Sequence, residues 1–363
     1  LQTITVGDGS LTVTRDPGTP VNSNVVAGLA SVHVGKFDFA AVSSAYTVQE
    51  LKIKVPADAA TSVSQVTLKY KNQAGVEQTV SQALSLSSSG QSHATATFTG
   101  LTFYVPNNDS ADLDVYVDTS TISSSAKSGA AVTVALENDE GFKAINGAGT
   151  SDTTANAALA SDIVSSDSSG YGTKYVKKSV PTIARLSSGY TSNTVAAGIG
   201  LYRFTVTADA AGAVEWRKIS FDVTTTGVNV ASGWTLYDVT GTAVAVNSSA
   251  TTTNSAPTSG TTYTLGVCPD TTCIVGEAQQ VGAGTSKTYE LRTTTVTGWG
   301  DAGDSLVIAL REDTTALVNA AAASLNTSNM VWSDRSANSH TTTTTDWTNG
   351  YLVKDTDNDT RSC

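Results

Sequence analysis

The most metal-like motif in the sequence is the acidic segment DTDNDT, in which Asp355, Asp357 and Asp359 stand at alternate positions. Alternating carboxylates resemble the start of a calcium loop, where several oxygens converge on one hard cation. The glycine expected next in such a loop is replaced by Thr360, and no glutamate follows. The segment is interpreted either as a calcium site or as a solvated acidic tail, and no other cofactor is expected.

The three cysteines suggest a disulfide more than a metal site. Cys268 and Cys273 bracket a short loop, so we predict a local disulfide between them, which implies an oxidising compartment. Two thiols without a nearby histidine or third cysteine do not complete a tetrahedral metal site. Cys363 has no evident partner and is either free or bonded between subunits.

No catalytic pattern is recognisable among the remaining polar residues. The three histidines, His33, His93 and His340, are far apart, and we predict that each faces solvent on a strand or in a threonine-rich loop. The sequence contains no nucleophile elbow, phosphate-binding glycine loop or HExxH motif. A carboxylate pair that meets only in the fold is the one remaining route to hydrolysis. We therefore expect a protein without enzymatic activity.

Four Asn-x-Ser/Thr sequons are candidate glycosylation sites, namely Asn108, Asn247, Asn326 and Asn358. Several are expected by chance in a chain rich in serine, threonine and asparagine. Asn247 is the best candidate because it opens the polar segment Asn247–Thr262, which is predicted to be an exposed loop or edge segment. The run Thr341–Thr345 is interpreted in the same way and is a candidate for O-linked sugar.

Composition and charge restrict the classes of partner. The chain has 363 residues, of which only 15% are charged, and its net charge is −11. The negative field disfavours nucleic acid and anionic lipid, and no apolar run approaches the ~18–20 residues that span a bilayer. The length has room for two domains with separate cores. The sequence begins at Leu1 without a signal peptide, which is typical of a processed chain or of a fragment.

One stretch of the sequence occurs twice. Val25–Val55 and Val195–Val223 each contain a strand pattern, a turn of small residues and a second strand pattern. In both copies an arginine, Arg15 or Arg185, lies 13 residues before a glycine, and these arginines are 170 residues apart. The chain is therefore interpreted as two copies of one domain. The repeat fixes how the remaining segments of the two copies are aligned with each other.

Short alternating runs separated by turn residues fill both copies, which is typical of antiparallel β-sandwiches. The predicted strands of the first copy are Leu11–Arg15, Val34–Ala40, Glu50–Val55, Val66–Tyr70, Ala94–Thr99, Leu101–Val105, Leu113–Val117 and Ala131–Leu136. Those of the second are Tyr175–Lys178, Val180–Arg185, Leu201–Thr207, Arg217–Val223, Trp234–Tyr237, Tyr289–Arg292 and Leu306–Leu310, with Tyr351–Lys354 matching Tyr175–Lys178.

These patterns predict an all-β protein of two tandem immunoglobulin-like sandwich domains with short helices in the connections. The predicted domains are residues 11–174 and 175–363, preceded by an N-terminal extension strand in residues 1–10. The best helical candidate is Ala155–Val164. All five tryptophans fall in the second copy, and those within strand patterns are predicted to lie in its core.

The segments Leu11–Val13, Lys36–Ala41, Leu51–Val55 and Thr235–Val244 carry a resemblance to a known group of proteins. In these segments the chain resembles secreted bacterial surface-layer and appendage proteins built from tandem immunoglobulin-like repeats. The resemblance implies an extracellular structural role and brings no catalytic residues.

The expected function is that of a structural subunit in an extracellular homopolymer, a filament, pilus-like fibre or surface layer. The alternating segment Leu1–Val6 lies outside the repeat, and we predict that it adds to a sheet of a neighbouring subunit. Its expected contact residues are Leu1, Thr3, Ile4, Thr5 and Val6. The first alternative is an adhesin or carbohydrate-binding module that recognises a surface glycan, which requires exposed aromatic rings such as Trp299 and Trp347. The second is an accessory region of a cell-wall enzyme.

Overall fold

The computed structural model describes residues 9–85, 93–123, 125–137, 140–153, 161–186, 194–230, 233–246, 249–253, 260, 262–269, 273, 278–353 and 359–363. The chain divides into two compact units, one ending at Lys177 and the other running from Lys178 to Cys363. Each unit has its own cluster of buried apolar residues. No helix among the described residues is long and apolar enough to cross a membrane.

The first unit consists almost entirely of strands. These are β1 (Ser10–Arg15), β2 (Ser23–Val26), β3 (Val32–Val42), β4 (Tyr46–Pro56), β5 (Val63–Lys71), β6 (Glu77–Ala83), β7 (His93–Val105), β8 (Asp109–Thr119), β9 (Ala130–Val132), β10 (Ala135–Leu136), β11 (Lys143–Asn146), β12 (Ser151–Thr153), β13 (Ile163–Val164) and β14 (Lys174–Lys177). One helical turn, α1 (Ala57–Ala60), follows β4.

Two antiparallel sheets of the first unit pack face to face. One has the strand order β1-β3-β8-β5-β6, and in the other β4 pairs with β7 on one side and with β10 and β11 on the other. Alternation explains the packing, because Phe37 and Phe39 of β3 point inwards while Lys36 and Asp38 point outwards. Phe39 meets Phe103 of the opposite sheet edge to face, with ring centroids 4.9 Å apart. A small third sheet joins β2, β14 and β9, and its β2–β14 pair is parallel.

The second unit is also built from strands. They are β15 (Pro181–Arg185), β16 (Gly200–Ala208), β17 (Val214–Thr226), β18 (Trp234–Asp238), β19 (Val244–Ala245), β20 (Ser249–Thr253), β21 (Thr262–Cys268), β22 (Gln279–Val281), β23 (Ser286–Thr293), β24 (Ser305–Leu310), β25 (Val331–Ser333), β26 (Trp347–Asn349) and β27 (Asp359–Ser362). A 3-10 turn covers Ala322–Leu325.

The sheets of the second unit follow a comparable plan. One sheet has the order β15-β16-β23-β18-β19, and in the other β17 pairs with β21 on one side and with β24 on the other. β17 continues beyond these partners to pair with β22 and β25. The ring centroids of Phe204 on β16 and Phe221 on β17 lie 5.8 Å apart, between the two sheets. The all-β prediction is confirmed.

Several predicted boundaries differ from the structure. Ala131–Leu136, predicted as one strand, contains β9 and β10, which pair with different sheets because the chain crosses between them. The helix predicted over Ala155–Val164 is wrong where that segment is described, since Ile163 and Val164 form β13 beside β10. A β-branched pair next to an open edge favours strand pairing over a short helix.

The prediction also split one strand and misplaced two segments. Ala94–Thr99 and Leu101–Val105 form the single strand β7, which continues through Gly100 at a positive φ of 67°. Tyr175–Lys178 was expected to open the second domain, but β14 pairs with β2 and β9 of the first unit. Residues 351–353 form a turn and not a strand.

The contact between Phe39 and Phe103 predicts a large loss of stability on truncation. Phe103 has no exposed surface and lies between the two sheets. Phe103→Ala should therefore lower the free energy of unfolding of the first unit by about 3–5 kcal/mol, measured by calorimetry or denaturant titration. Thr12→Ala, at an exposed position of β1, is the matched control and should change it by less than about 0.5 kcal/mol. Equal effects of the two substitutions would contradict this packing.

Candidate functional sites

Several residues expected to be functional fall outside the described residues. These are the subunit-contact residues Leu1, Thr3, Ile4, Thr5 and Val6, the sequon Asn247, and two of the calcium-loop carboxylates, Asp355 and Asp357. The third carboxylate, Asp359, begins β27 opposite Ile308, and its Oδ1 lies 4.0 Å from Nη1 of Arg185. A calcium site at this segment stays a prediction.

A disulfide joins Cys268 and Cys273, whose Cα atoms are 5.1 Å apart. Cys268 is the last residue of β21 and is fully buried. Cys363 is exposed and carries a free thiol. Its main chain is held in place, because its N–H donates to Asp304 O at 3.0 Å and its carbonyl accepts from Gly303 N at 3.3 Å.

Two of the three histidines lie on strands and are partly exposed. The ring of His33 stacks on Tyr116 with centroids 4.7 Å apart, and its Nε2 lies 3.1 Å from Oδ1 of Asp114. His93 is the first residue of β7, and its Nε2 lies 3.7 Å from Oε2 of Glu137. The side chains of His33 and His93 are 29% and 25% exposed, so both are partly open to solvent.

The solvent-facing prediction is wrong for His340, whose side chain is only 7% exposed. Its Nδ1 lies 2.8 Å from Oδ2 of Asp346, and its Nε2 lies 3.5 Å from Oε2 of Glu215 on β17. The ring packs against Trp347, with centroids 5.0 Å apart. Arg335 pairs with the same carboxylate of Glu215. We call these five residues, Glu215, Arg335, His340, Asp346 and Trp347, the His340 cluster.

Charge interactions in this cluster favour the ionised forms. Burial opposes the charged imidazole, but hydrogen bonds to Asp346 and Glu215 outweigh it and raise the pKa of His340 to about 9. Burial likewise opposes ionisation of Asp346, yet its contact with His340 holds its pKa below the ordinary value. The pKa of Glu215 is lowered against the same desolvation by His340 and Arg335. The cluster therefore contains an imidazolium between two carboxylates.

Together with the neighbouring Ser333, the His340 cluster has the residue types of a nucleophilic triad, but Ser333 contacts the aspartate and not the histidine. Ser333 Oγ donates to Asp346 Oδ2 at 3.1 Å, and the second nitrogen of His340 faces Glu215. A nucleophile has to lie within hydrogen-bond reach of its general base. Ser333 is also completely buried, so substrate has no access to it. The cluster holds the segment 335–346 against β17 and is interpreted as structural.

The His340 cluster should make the second unit sensitive to alkali. The folded pKa of about 9 exceeds the ordinary 6.5, so the stabilisation is complete below pH ~6.5 and is lost as the pH rises through about 9. His340→Gln should lower the free energy of unfolding by about 2 kcal/mol near neutral pH, and the difference from the wild type should shrink above pH ~10.

Tryptophan fluorescence is the appropriate measurement, since all five tryptophans belong to the second unit. His33→Gln is the matched control, because His33 lies in the first unit and is partly exposed. It should leave the alkaline transition of the second unit unchanged. A pH-independent difference between His340→Gln and the wild type would contradict an imidazolium at this position.

A group of three carboxylates lies on the outer face of the first unit. Asp16, Asp38 and Asp112 have oxygens within 4.8 Å of one another, and Asp38 stands directly opposite Asp112 on neighbouring strands. Like charges at such cross-strand positions are destabilising. The ammonium of Lys36 lies 2.8 Å from Asp112 and 3.5 Å from Asp16, and the hydrogen bond to Asp112 raises the pKa of Lys36 despite its partial burial. The ammonium of Lys36 therefore offsets part of the negative charge of this group.

A cleft of about 540 Å³ opens beside this group, near the β5–β6 turn. Its lining combines the aromatic side chain of Tyr104 with the polar side chains of Asn72, Gln73 and Glu77 and the ammonium of Lys71. Two further lysines in the lining are already engaged, since Lys36 pairs with Asp112 and Lys69 lies over the ring of Tyr116 at 4.7 Å. The lining of the cleft therefore combines an aromatic ring with polar side chains.

The tryptophans named for sugar binding do not form an exposed aromatic surface. Trp347 is fully buried in the His340 cluster, with its Nε1 donating to Thr341 O at 2.8 Å. Trp299 is partly buried and packs against the core of the second unit. Trp234, which lies in a predicted strand, is a core residue as predicted, and Trp216 and Trp332 are also buried in the core.

Sequence reasoning missed the His340 cluster for a definite reason. His340 and Asp346 are six residues apart, and this spacing next to a threonine run was the available signal. Their partner Glu215 lies 125 residues from His340, and only the position of β17 brings it close.

No protein-family profile and no curated protein sequence matches the chain. Among solved structures, the chain is similar to the C-terminal domain of the AgI/II polypeptide BspA of Streptococcus agalactiae, at 8% identity and a TM-score of 0.22, over 84% of this chain and 95% of that one. It is also similar to the enterococcal surface protein, partial N-terminal region, at 8% identity and a TM-score of 0.21, over 83% and 88% of the two chains. The chain is also similar to the full-length major pilin SpaD of Corynebacterium diphtheriae, at 9% identity and a TM-score of 0.21, over 99% of this chain and 66% of that one. Similarity at these TM-scores carries no argument about the function of this chain.

Proposed function

We propose that this chain is a non-enzymatic structural subunit of an extracellular polymer, a filament, pilus-like fibre or surface layer. The observation that carries the proposal is the open form of its sandwiches, whose sheets end in edge strands such as β1 and β6. An open edge presents unpaired N–H and C=O groups to which another chain can add a strand. The His340 cluster supports the non-enzymatic role, because its charged side chains pair with one another and its histidine is only 7% exposed.

Duplication of an immunoglobulin-like domain is part of the same proposal. In each unit one sheet has five strands, and their orders, β1-β3-β8-β5-β6 and β15-β16-β23-β18-β19, correspond position by position. In the repeated stretch at Val25–Val55 and Val195–Val223, β3 and β16 are second in these orders, and the strands that follow, β4 and β17, each lie in the opposite sheet. Tandem units of one design are suited to extended assemblies, because they lengthen a subunit without requiring a new fold.

Subunits join head to tail by strand addition in this proposal, with the segment Leu1–Val6 as the added strand. It alternates apolar and polar residues, is uncharged and contains four β-favouring residues, Thr3 to Val6. A contact between two different surfaces of identical subunits propagates and does not close on itself. The disulfide between Cys268 and Cys273 is consistent with an extracellular location.

Removal of residues 1–7 should abolish polymers while leaving the fold intact, because the described strands begin at Ser10. Electron microscopy and sedimentation of the full chain and of the truncated chain provide the measurement. A chain carrying Thr3→Ser and Thr5→Ser is the matched control and should still polymerise, since it keeps the backbone and the apolar positions Ile4 and Val6. Normal polymers from the truncated chain would rule out this mode of assembly.

Glycan binding is the second candidate function, and the cleft beside Tyr104 is the observation that favours it. Sugar rings stack on aromatic faces while amides and carboxylates bind their hydroxyls. Tyr104→Ala should reduce binding of a neutral oligosaccharide about tenfold, measured by glycan array and calorimetric titration. Tyr237→Ala, in the second unit, should leave binding unchanged. A glycan array with no bound sugar for the unmodified chain would remove this candidate.

A further inference from the structure

Two of the four glycosylation sequons lie within the described residues. The sequon at Asn108 spans the end of the connection between β7 and β8, and the sequon at Asn326 follows the 3-10 turn of the second unit. Those at Asn247 and Asn358 lie outside the described part of the chain. A transferase that acts on the folded chain has to reach both the asparagine amide and the hydroxyl residue of a sequon, so the two described sequons can be compared directly.

At Asn108 both groups of the sequon are accessible. Oδ1 of Asn108 accepts a hydrogen bond from the main-chain N–H of Ser43 at 2.9 Å. Only the amide oxygen can accept from this donor, so the bond identifies the other amide atom as the nitrogen. Among the described residues, Nδ2 of Asn108 and Oγ of Ser110 have no hydrogen-bond partner. Residues 107–110 are all exposed, so the amide nitrogen and the hydroxyl both face solvent.

The local backbone suits an asparagine that carries a sugar. Asn108 has a positive φ of 54°, in the left-handed region that asparagine adopts more readily than most other residues. Oδ1 of Asp109 accepts from the N–H of Ser110 at 2.8 Å, which fixes the following residue. A sugar attached at the nitrogen leaves the carbonyl oxygen of Asn108 in place, so the hydrogen bond from Ser43 persists. Attachment therefore requires no rearrangement of the described structure.

The sequon at Asn326 differs at its hydroxyl residue. Ser328 is only 5% exposed, and its main-chain N–H donates to Leu325 O at 2.9 Å. The main-chain carbonyl of Asn326 accepts from the ammonium of Lys218 on β17 at 2.8 Å. The side chain of Asn326 is exposed, but Ser328 becomes accessible only when this segment opens. Of the two described sequons, the one at Asn108 is thus the one that the folded chain presents completely.

We propose that Asn108 is an attachment site for an N-linked glycan. The sugar comes from a glycosyl diphosphate donor, and a glycosyltransferase of the source catalyses the transfer. Nδ2 of Asn108 forms a C–N bond to the anomeric carbon and loses one proton. The bond between that carbon and the donor's phosphate oxygen breaks, and the diphosphate leaves with the electron pair. The inference rests on the proposed extracellular location, which the disulfide supports, and it does not depend on how subunits join.

Peptide mapping of the chain purified from its natural source tests the proposal. An amidase that releases N-linked sugars in heavy-oxygen water converts a modified asparagine to a labelled aspartate. We expect the label at Asn108, together with a glycopeptide of matching mass in the untreated sample. An Asn108 peptide found only in its unmodified form would overturn this inference and leave the proposed structural role untouched. A chain recovered from the cytoplasm with Cys268 and Cys273 reduced would contradict both.

Modification in vitro tests the structural reason for the choice of site. The purified, unmodified chain is incubated with a sequon-specific transferase and a nucleotide-activated hexose, and mass spectrometry measures the hexose at each site. In the folded chain, modification of Asn108 should exceed that of Asn326 about tenfold or more, because Ser328 must first be uncovered by local opening. Two synthetic peptides that carry these sequons are the control and should be modified to similar extents. Equal modification of the two sites in the folded chain would contradict the inference.

Substitution of the hydroxyl residue separates recognition of the sequon from general exposure of the loop. Ser110→Ala keeps Asn108 and its hydrogen bond from Ser43, and it should abolish modification while leaving the melting temperature unchanged, since position 110 is exposed. Ser110→Thr is the matched control and should still be modified, because threonine also completes a sequon. Sugar that persists on the Ser110→Ala variant would show that Asn108 is not modified as a sequon and would overturn the assignment.

Discussion

Pairing of main-chain groups on both sides of two long strands is the constraint on which both units depend. β4 and β17 each have partners along both edges, so their N–H and C=O groups are satisfied in the interior of a sheet. Their inward side chains, among them Leu51, Ile53 and Phe221, are completely or almost completely buried. A strand paired on both sides fixes the register of its neighbours. The hydrophobic core, the disulfide at the end of β21 and the His340 cluster on β17 are all positioned through this register.

The few charged groups are used mainly within the protein. Lys36 pairs with two of the three carboxylates on the outer face of the first unit, and His340 joins two carboxylates in the second. Both arrangements fasten elements that are distant in sequence. The partly exposed pairs of Lys36 contribute little to stability, whereas the buried pairs of His340 contribute more. The outer faces are otherwise covered by threonine and serine, which tolerate strand conformation and remain soluble without charge.

The sequence predicted most of the strands, because alternation of apolar and polar residues reflects burial of one sheet face. β3, β4, β16 and β24 were found in this way. Alternation carries no information about which sheet a strand joins, so it predicts one strand over Ala131–Leu136 where the structure has β9 and β10 in different sheets. The helix expected at Ala155–Val164 failed where it is described, because an available strand partner outweighs weak local preference.

The side-chain sites were harder to predict than the strands. The local cysteine pair was evident from a spacing of five residues. Glu215, a partner of His340, and Asp112, a partner of Lys36, come from other strands, so their proximity depends on sheet order, which the sequence pattern does not determine. The prediction that His340 faces solvent failed for this reason, because a polar threonine-rich neighbourhood does not reveal a carboxylate supplied by β17.

The strand β20 also has a consequence for the valence of the subunit. It covers the outer side of β21, whereas among the described residues the outer side of β7 has the single bridge between Ser85 and Thr95. Two units of comparable plan are therefore unequal at this edge. If subunits associate by strand addition as proposed, the edge of β21 that the chain itself closes offers no site for a neighbour's strand.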